Sequence, residues 1–200
     1  MIIAIEGFDG SGKSTLVKQL IDKLGTDIKR YHFPSPEYLG KLHRAYKTFT
    51  KNKTLNNLLK YHLLFLEDFA VHQDMLKEES KGVLILDRYI YSHAAYVNAD
   101  LASFFIHNPR LEKNYGYCKK VMKEFYSFYS SLMVVPDLVI FLERSPIQNA
   151  PEELKTNFFY NLNFKDYAPQ KLVTIKALMK TTLGNAVRAI RNMEEEKKNK

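Results

Sequence analysis

The chain predicts an α/β fold, with a central parallel sheet flanked by helices in three layers. Three observations carry this. Short apolar runs of strand length recur at Ile2 to Ile5, Val83 to Leu86 and Pro136 to Leu142. Continuous apolar runs suit strands covered on both faces, as in parallel sheets. Longer segments with apolar residues at helical spacing lie between them, so strands and helices alternate. The first run leads directly into Gly7-Phe8-Asp9-Gly10-Ser11-Gly12-Lys13-Ser14 and then a helical pattern at Leu16, Val17, Leu20 and Ile21. That is the pattern G-x-x-x-x-G-K-[ST] in its strand–loop–helix context.

The loop needs these residue types. Glycines let the backbone curl so that successive N–H groups point inward and cradle phosphate oxygens. The helix N-terminus behind them adds partial positive charge. Lys13 brings a full charge to the transferring phosphates, and the Ser14 hydroxyl is placed to ligate magnesium. The fold class is therefore the P-loop NTPase three-layer arrangement.

The remaining elements follow in order. The first helix ends near Gly25, a C-cap residue. Ile28 to Phe33 reads as a second strand, stopped by Pro34 and Pro36. A helix from about Tyr38 to Phe49 precedes a Lys/Asn-rich turn. Leu55 to Leu76 is one long helical stretch, apolar around most of its circumference in the middle. Such a helix must bury more than one face; core on one side and a second subunit on the other would do so. The run Val83 to Asp87 ends in a carboxylate, and Asp87-Arg88-Tyr89 falls at the carboxyl edge of the sheet, where open α/β folds bind ligands. Helical pattern resumes through Tyr96. The aromatic-rich segment Tyr115 to Leu132 reads as helix with its aromatics in the core. Leu172 to Leu178 reads as a last strand, with helix a close rival. A terminal helix starts at Gly184, and Glu194 to Lys200 reads as a frayed end.

At 200 residues the chain is long enough for one domain with a full core, 1–200. The net charge of +8 suits an anionic partner. Much of the lysine excess lies on helix faces and in the tail, so it does not argue for nucleic acid. Arg188 and Arg191 on the terminal helix read as a solvated face. Cys118 is the only cysteine, which excludes an internal disulfide and a thiolate metal cluster. The first apolar run stops at Glu6, too short for a signal peptide or membrane span. The expectation is a soluble, cytoplasmic protein with no membrane partner.

Asp87-Arg88-Tyr89-Ile90-Tyr91-Ser92-His93-Ala94-Ala95-Tyr96 resembles the D-R-[YF]-x-x-S-x-x-A-[YF] motif of thymidylate kinases. The segment Glu6 to Ser14 resembles their P-loop. Phe33-Pro34, Leu63-Leu64-Phe65 and Pro136-Asp137-Leu138 complete five landmarks in the family's order over roughly 1–143. The resemblance implies a nucleoside-monophosphate kinase that converts ATP and dTMP, or a related deoxynucleotide, to ADP and dTDP by in-line transfer, with Mg2+ as cofactor. It implies ATP binding by Gly7, Phe8, Asp9, Gly10, Ser11, Gly12, Lys13, Ser14 and Thr15. Ser14 and Asp87 would serve the metal. Asp9, Lys13 and Arg88 would act at the transfer point, with Asp9 between donor and acceptor. Arg88 would clamp the phosphates with a fork that lysine cannot replace. Asp9, Phe33, Phe65, Arg88, Ser92, His93 and Tyr96 would receive the acceptor. Phe65 would stack on the base, Ser92 and His93 would lie near it, and Tyr96 would disfavour a ribose 2′-hydroxyl. Phe65 as plain core and Ser92 bonded within its own helix are the alternatives.

Three departures stand out. Phe69 occupies the position of the arginine that reads the thymine edge. Ser35-Pro36-Glu37 replaces the segment that commonly offers an arginine to the acceptor phosphate. Residue 10 is glycine, yet the expected lid, a shortened segment at about 145–170, contains no arginine; Arg144, Lys155 and Lys165 are the nearby cations. Removal of a transition-state arginine costs about 10³ or more in rate, so a cation must come from elsewhere or turnover is slow. A deoxynucleoside kinase, with Glu37 as base, and a nucleotide-binding homologue with weak transfer are the competing readings. A homodimer is expected from the long apolar helix.

Overall fold

The computed structural model describes residues 1–7, 10–25, 27–143, 172–176 and 182–199. The expected lid, with Lys155 and Lys165, lies outside the described residues, as do Arg144, Phe8 and Asp9.

Five parallel strands form one sheet in the order β2-β3-β1-β4-β5: β1 Ile2–Glu6, β2 Ile28–His32, β3 Val83–Asp87, β4 Leu138–Glu143 and β5 Leu172–Lys176. The central strands are the apolar runs, and all five residues of β1 are buried. β2 (IKRYH) alternates half-buried Ile28 and Tyr31 with exposed cations, as suits an edge strand that must resist further pairing. β5 pairs with β4, which settles the choice between strand and helix there.

Side chains alternate across the sheet. Ile3, Ile5, Ile85, Ile140 and Leu142 face α1 (Lys13–Leu24) and α7 (Thr182–Lys198). Ala4, Leu84, Leu86, Val139 and Phe141 face the opposite layer. That layer holds α3 (Leu55–Val71), α4 (Gln73–Glu79), α5 (Ile90–Ile106) and α6 (Tyr115–Leu132), with α2 (Pro36–Lys51) packed on α3. The three-layer α/β expectation holds.

Several boundaries differ for physical reasons. The stretch from Leu55 to Leu76 is two helices, broken at His72. His72 Nδ1 bonds the Asp68 carbonyl at 2.7 Å and Gln73 Nε2 donates to the Phe69 carbonyl at 2.6 Å; side chains thus take up carbonyls of the last turn. α2 starts at Pro36, a residue well suited to a helix start. α7 runs on to Lys198 instead of fraying, and Lys197 Nζ pairs with Asp137 Oδ1 at 2.7 Å. In α6 Tyr126 is buried, but Tyr117 is 72% and Phe128 63% exposed. The core reading of that aromatic segment therefore fails for those two rings. The apolar circumference of α3 is met largely within the chain: Leu58, Leu66 and Phe69 enter the core, and Tyr61 packs on Tyr46 of α2 at 5.5 Å.

Asp68 ties the turn after β2 to α3. Its fully buried carboxylate accepts from Ser35 N at 2.7 Å and Ser35 Oγ at 2.6 Å. Asp68→Ala strands both donors and is expected to lower stability by about 3 kcal/mol in urea unfolding. A loss below about 1 kcal/mol would mean that the turn is held by its packing alone.

Candidate active site

The loop between β1 and α1 is built on left-handed backbone. Gly7 has φ 145°, and a Cβ there would lie 2.8 Å from both the Leu142 carbonyl and Ser11 Oγ. Only glycine fits. Gly12, with φ 89°, caps α1 without a side-chain cap, and no acidic residue stands in the helix's first turn. The positive end of α1 therefore has no carboxylate in that turn to offset it. Lys13 is buried at the first helical position, while Ser14 and Thr15 are exposed. Ser11 Oγ is buried and makes no hydrogen bond among the described residues.

The register sets Ile5 opposite Asp87 and His32 opposite Asp87, so three strands end together beside this loop. Asp87 is 1% exposed. Its Oδ2 accepts from Ser14 Oγ at 3.2 Å and from Arg30 Nη2 at 2.6 Å. Sequence reasoning missed Arg30; the signal available was a cation two residues before the end of an edge strand. It also missed Glu6, which is fully buried. Glu6 Oε1 accepts from Tyr89 N at 2.8 Å, and Ser92 Oγ donates to Oε2.

Arg88 follows Asp87 with φ 71°, a conformation costly for a residue with a Cβ and frequent at functional sites. Its amide donates to the Ile5 carbonyl at 3.1 Å and its Nη1 to Tyr96 Oη at 2.5 Å. The guanidinium opens on a cavity of about 200 Å³. Phe33, Phe65, Arg88, Ser92, His93 and Tyr96 all line that cavity, with Pro34, Tyr61, His62, Phe69, Tyr89 and Asp100. Every described residue expected to receive the acceptor therefore lines one cavity. Ser92 neither bonds within its helix nor turns its hydroxyl into the cavity; it is committed to Glu6. Phe65 is partly buried, stacked on His93 at 4.8 Å. Phe69 is buried against Phe33 at 4.8 Å and Tyr89 at 5.5 Å, so no donor stands where the arginine was expected.

A buried polar chain replaces it. Tyr126 Oη lies 2.7 Å from His93 Nδ1, and His93 Nε2 lies 3.3 Å from His62 Nδ1. His62 Nε2 faces Asp100 Oδ2 at 3.2 Å, without the alignment of a hydrogen bond. Burial, and then the neighbouring His62, hold His93 well below the usual histidine range, so it is neutral. The sequence carried a signal for His62, which shares a helix face with Phe65 and Phe69 at i, i+3 and i+7.

The loop and the Ser14–Asp87 pair fit a nucleotide with magnesium. An unbonded buried hydroxyl at Ser11 suits a ligand oxygen, and one hydroxyl with one carboxylate is the hard-oxygen set magnesium uses beside phosphates. Among the described residues no cluster of three His, Cys, Asp or Glu could hold a metal, and such a site requires none.

A family model described as thymidylate kinase matches residues 5–109. The chain is 41% identical to the probable thymidylate kinase of Methanocaldococcus jannaschii over 100 residues, 48% of this chain and 49% of that protein. It is 31% identical to the thymidylate kinase of Leptospira borgpetersenii over 156 residues, 73% of this chain and 64% of that protein. The chain thus spans less than two-thirds of the length of these relatives. The solved thymidylate kinase of Candida albicans superposes with a TM-score of 0.67 at 23% identity, covering 97% of this chain and 92% of that one. That likeness establishes the fold.

Burial pushes the Glu6 carboxyl up to about 7, against the Ser92 hydrogen bond and the charges of Arg88 and Lys13, which pull it down. The folded chain then holds this proton more tightly than the unfolded chain does. Glu6 therefore stabilises fully below pH 4.5, and the contribution is lost as pH rises to about 7. Glu6→Gln removes this titration. The variant's stability relative to the parent should rise by roughly 3 kcal/mol between pH 4.5 and 7.5 in urea unfolding. A difference that stays flat would put the carboxyl at its ordinary value.

Proposed function

This chain belongs to the thymidylate kinase family, and from that premise we propose that it transfers the γ-phosphoryl group of ATP to dTMP or a closely related deoxynucleoside monophosphate. The observation that carries the reading is the reach of one dipeptide. Asp87 bonds Ser14 of the phosphate loop, while Arg88 lines the neighbouring cavity. On this reading, donor and acceptor sites meet at adjacent residues.

The acceptor is a phosphate monoester whose second pKa is about 6, so its oxygen is already largely ionised at neutral pH. No base is needed; the protein must align two anions and offset their repulsion. Main-chain N–H groups of residues 7–15 and Lys13 hold the donor phosphates. Ser14 and Asp87 would hold Mg2+, which would supply positive charge against the donor phosphates. Arg88, braced by Tyr96, grips the acceptor phosphate; Phe65 supplies a ring face for the base. Asp9 belongs to this proposal by its place in the loop. Glu37, the base of the sugar-hydroxyl alternative, is exposed and absent from the cavity wall, which favours a monophosphate acceptor over a nucleoside. A homodimer completes the proposal, resting on Leu63, 53% exposed on the outer face of α3.

The test offers ATP–Mg2+ with dTMP, other monophosphates and thymidine, and follows ADP release. dTMP or a related deoxynucleotide should turn over fastest, and Arg88→Lys should lower that rate at least about 100-fold with little change in ATP affinity. Faster phosphorylation of thymidine, or equal losses in rate and affinity, would overturn the reading. Light scattering at micromolar concentration should give the mass of two chains.

A further inference from the structure

The charge problem at the transfer point has a candidate solution in β2. The loop carries Gly10 where some members of the family carry an arginine, and 145–170 holds no arginine. Arg88 is engaged with Tyr96 on the acceptor side. Arg30 approaches from the other side. Its Nη2 meets the same Asp87 oxygen that Ser14 touches, so the guanidinium stands within two hydrogen bonds of the phosphate loop.

Three features distinguish this contact from a plain structural pair. The Arg30 side chain is 40% exposed above a carboxylate that is 1% exposed, so the cation reaches solvent while its partner does not. Asp87 is the only side chain that the Arg30 guanidinium hydrogen-bonds or pairs with among the described residues. Most of its five N–H donors remain for a ligand. Further, the oxygen that holds it is the one facing Ser14. Were Asp87 to serve the metal, Arg30 would be left beside a triphosphate, the anion its planar fork fits.

We infer that Arg30 is a donor-binding residue that contacts the γ-phosphoryl group of the bound nucleoside triphosphate, parked on Asp87 until that group arrives. The inference rests on the proposed kinase activity for the identity of the donor, but its test needs no acceptor. Calorimetry compares Mg2+–ADP with the non-hydrolysable β,γ-imido analogue of ATP on the parent chain, Arg30→Gln and Arg30→Lys. Arg30→Gln should lose about tenfold to a hundredfold in affinity for the triphosphate analogue and less than about threefold for ADP. Arg30→Lys, which keeps the charge without the fork, should fall between. Equal losses for both nucleotides, or no loss for either, overturn the inference. Should Arg30→Gln fail to show a cooperative melt, Arg30→Lys alone decides by the same comparison. A parent chain that binds both nucleotides yet phosphorylates no monophosphate overturns the proposed function, and the ratio of the two affinities still decides the role of Arg30; one that binds neither overturns both.

Discussion

Ile5 sits opposite Asp87 in the parallel ladder between β1 and β3, and opposite Ile140 in the ladder to β4. The period of a strand is two, so a slip of one residue in either ladder would move every inward side chain to the other face. Here it would part Asp87 from Ser14 and carry Arg88 away from the Ile5 carbonyl. The slip is opposed by two cores at once, because β1 and β3 are covered on both faces. Hydrocarbon packing on either side of the sheet thus fixes the position of charges at its edge. Those charges could not hold one another in place, since ion pairs contribute little net stability.

The same edge concentrates buried charge. Glu6, Lys13 and Asp87 are each at most 5% exposed, and an unpaired ion in such a place is costly. The arrangement offsets that cost in two ways. Asp87 has a hydroxyl and a guanidinium on one oxygen. Glu6 has an amide, a hydroxyl and two nearby cations, yet desolvation still outweighs them. The Glu6 carboxyl therefore stays easier to protonate than an ordinary glutamate although the charges of Arg88 and Lys13 act against this.

The parts of the site that lie in one contiguous motif were legible in the sequence. The phosphate loop, Asp87 and Arg88 follow directly from strand–loop grammar, because the residue after a parallel strand must emerge at the ligand edge. What stayed hidden depends on side chains from separate elements meeting. Arg30 looks like an edge-strand surface charge, and only the pairing of β2 with β3 brings it to Asp87. Glu6 looks like the end of an apolar run, and its role emerges only when α5 lays Ser92 over it. His62 and Asp100 belong to different helices, and no local spacing joins them. The break at His72 was missed for a related reason: hydrophobic period reports the buried face, not the competition of side chains for helical carbonyls.

The polar chain across the cavity wall shows how much one of those hidden residues determines. Each imidazole could carry its proton on either nitrogen. Asp100 removes the choice at one end, because a carboxylate 3.2 Å from His62 Nε2 favours a proton on that nitrogen. Where His62 Nδ1 accepts, His93 Nε2 donates. His93 Nδ1 must accept in turn, and Tyr126 donates its hydroxyl. One carboxylate at the cavity rim thereby bears on three groups on three helices, and burial keeps His93 neutral among them. Phe69 is buried among rings, so among the described residues that line the cavity His62, His93 and Asp100 bring polar groups and Arg88 brings a guanidinium.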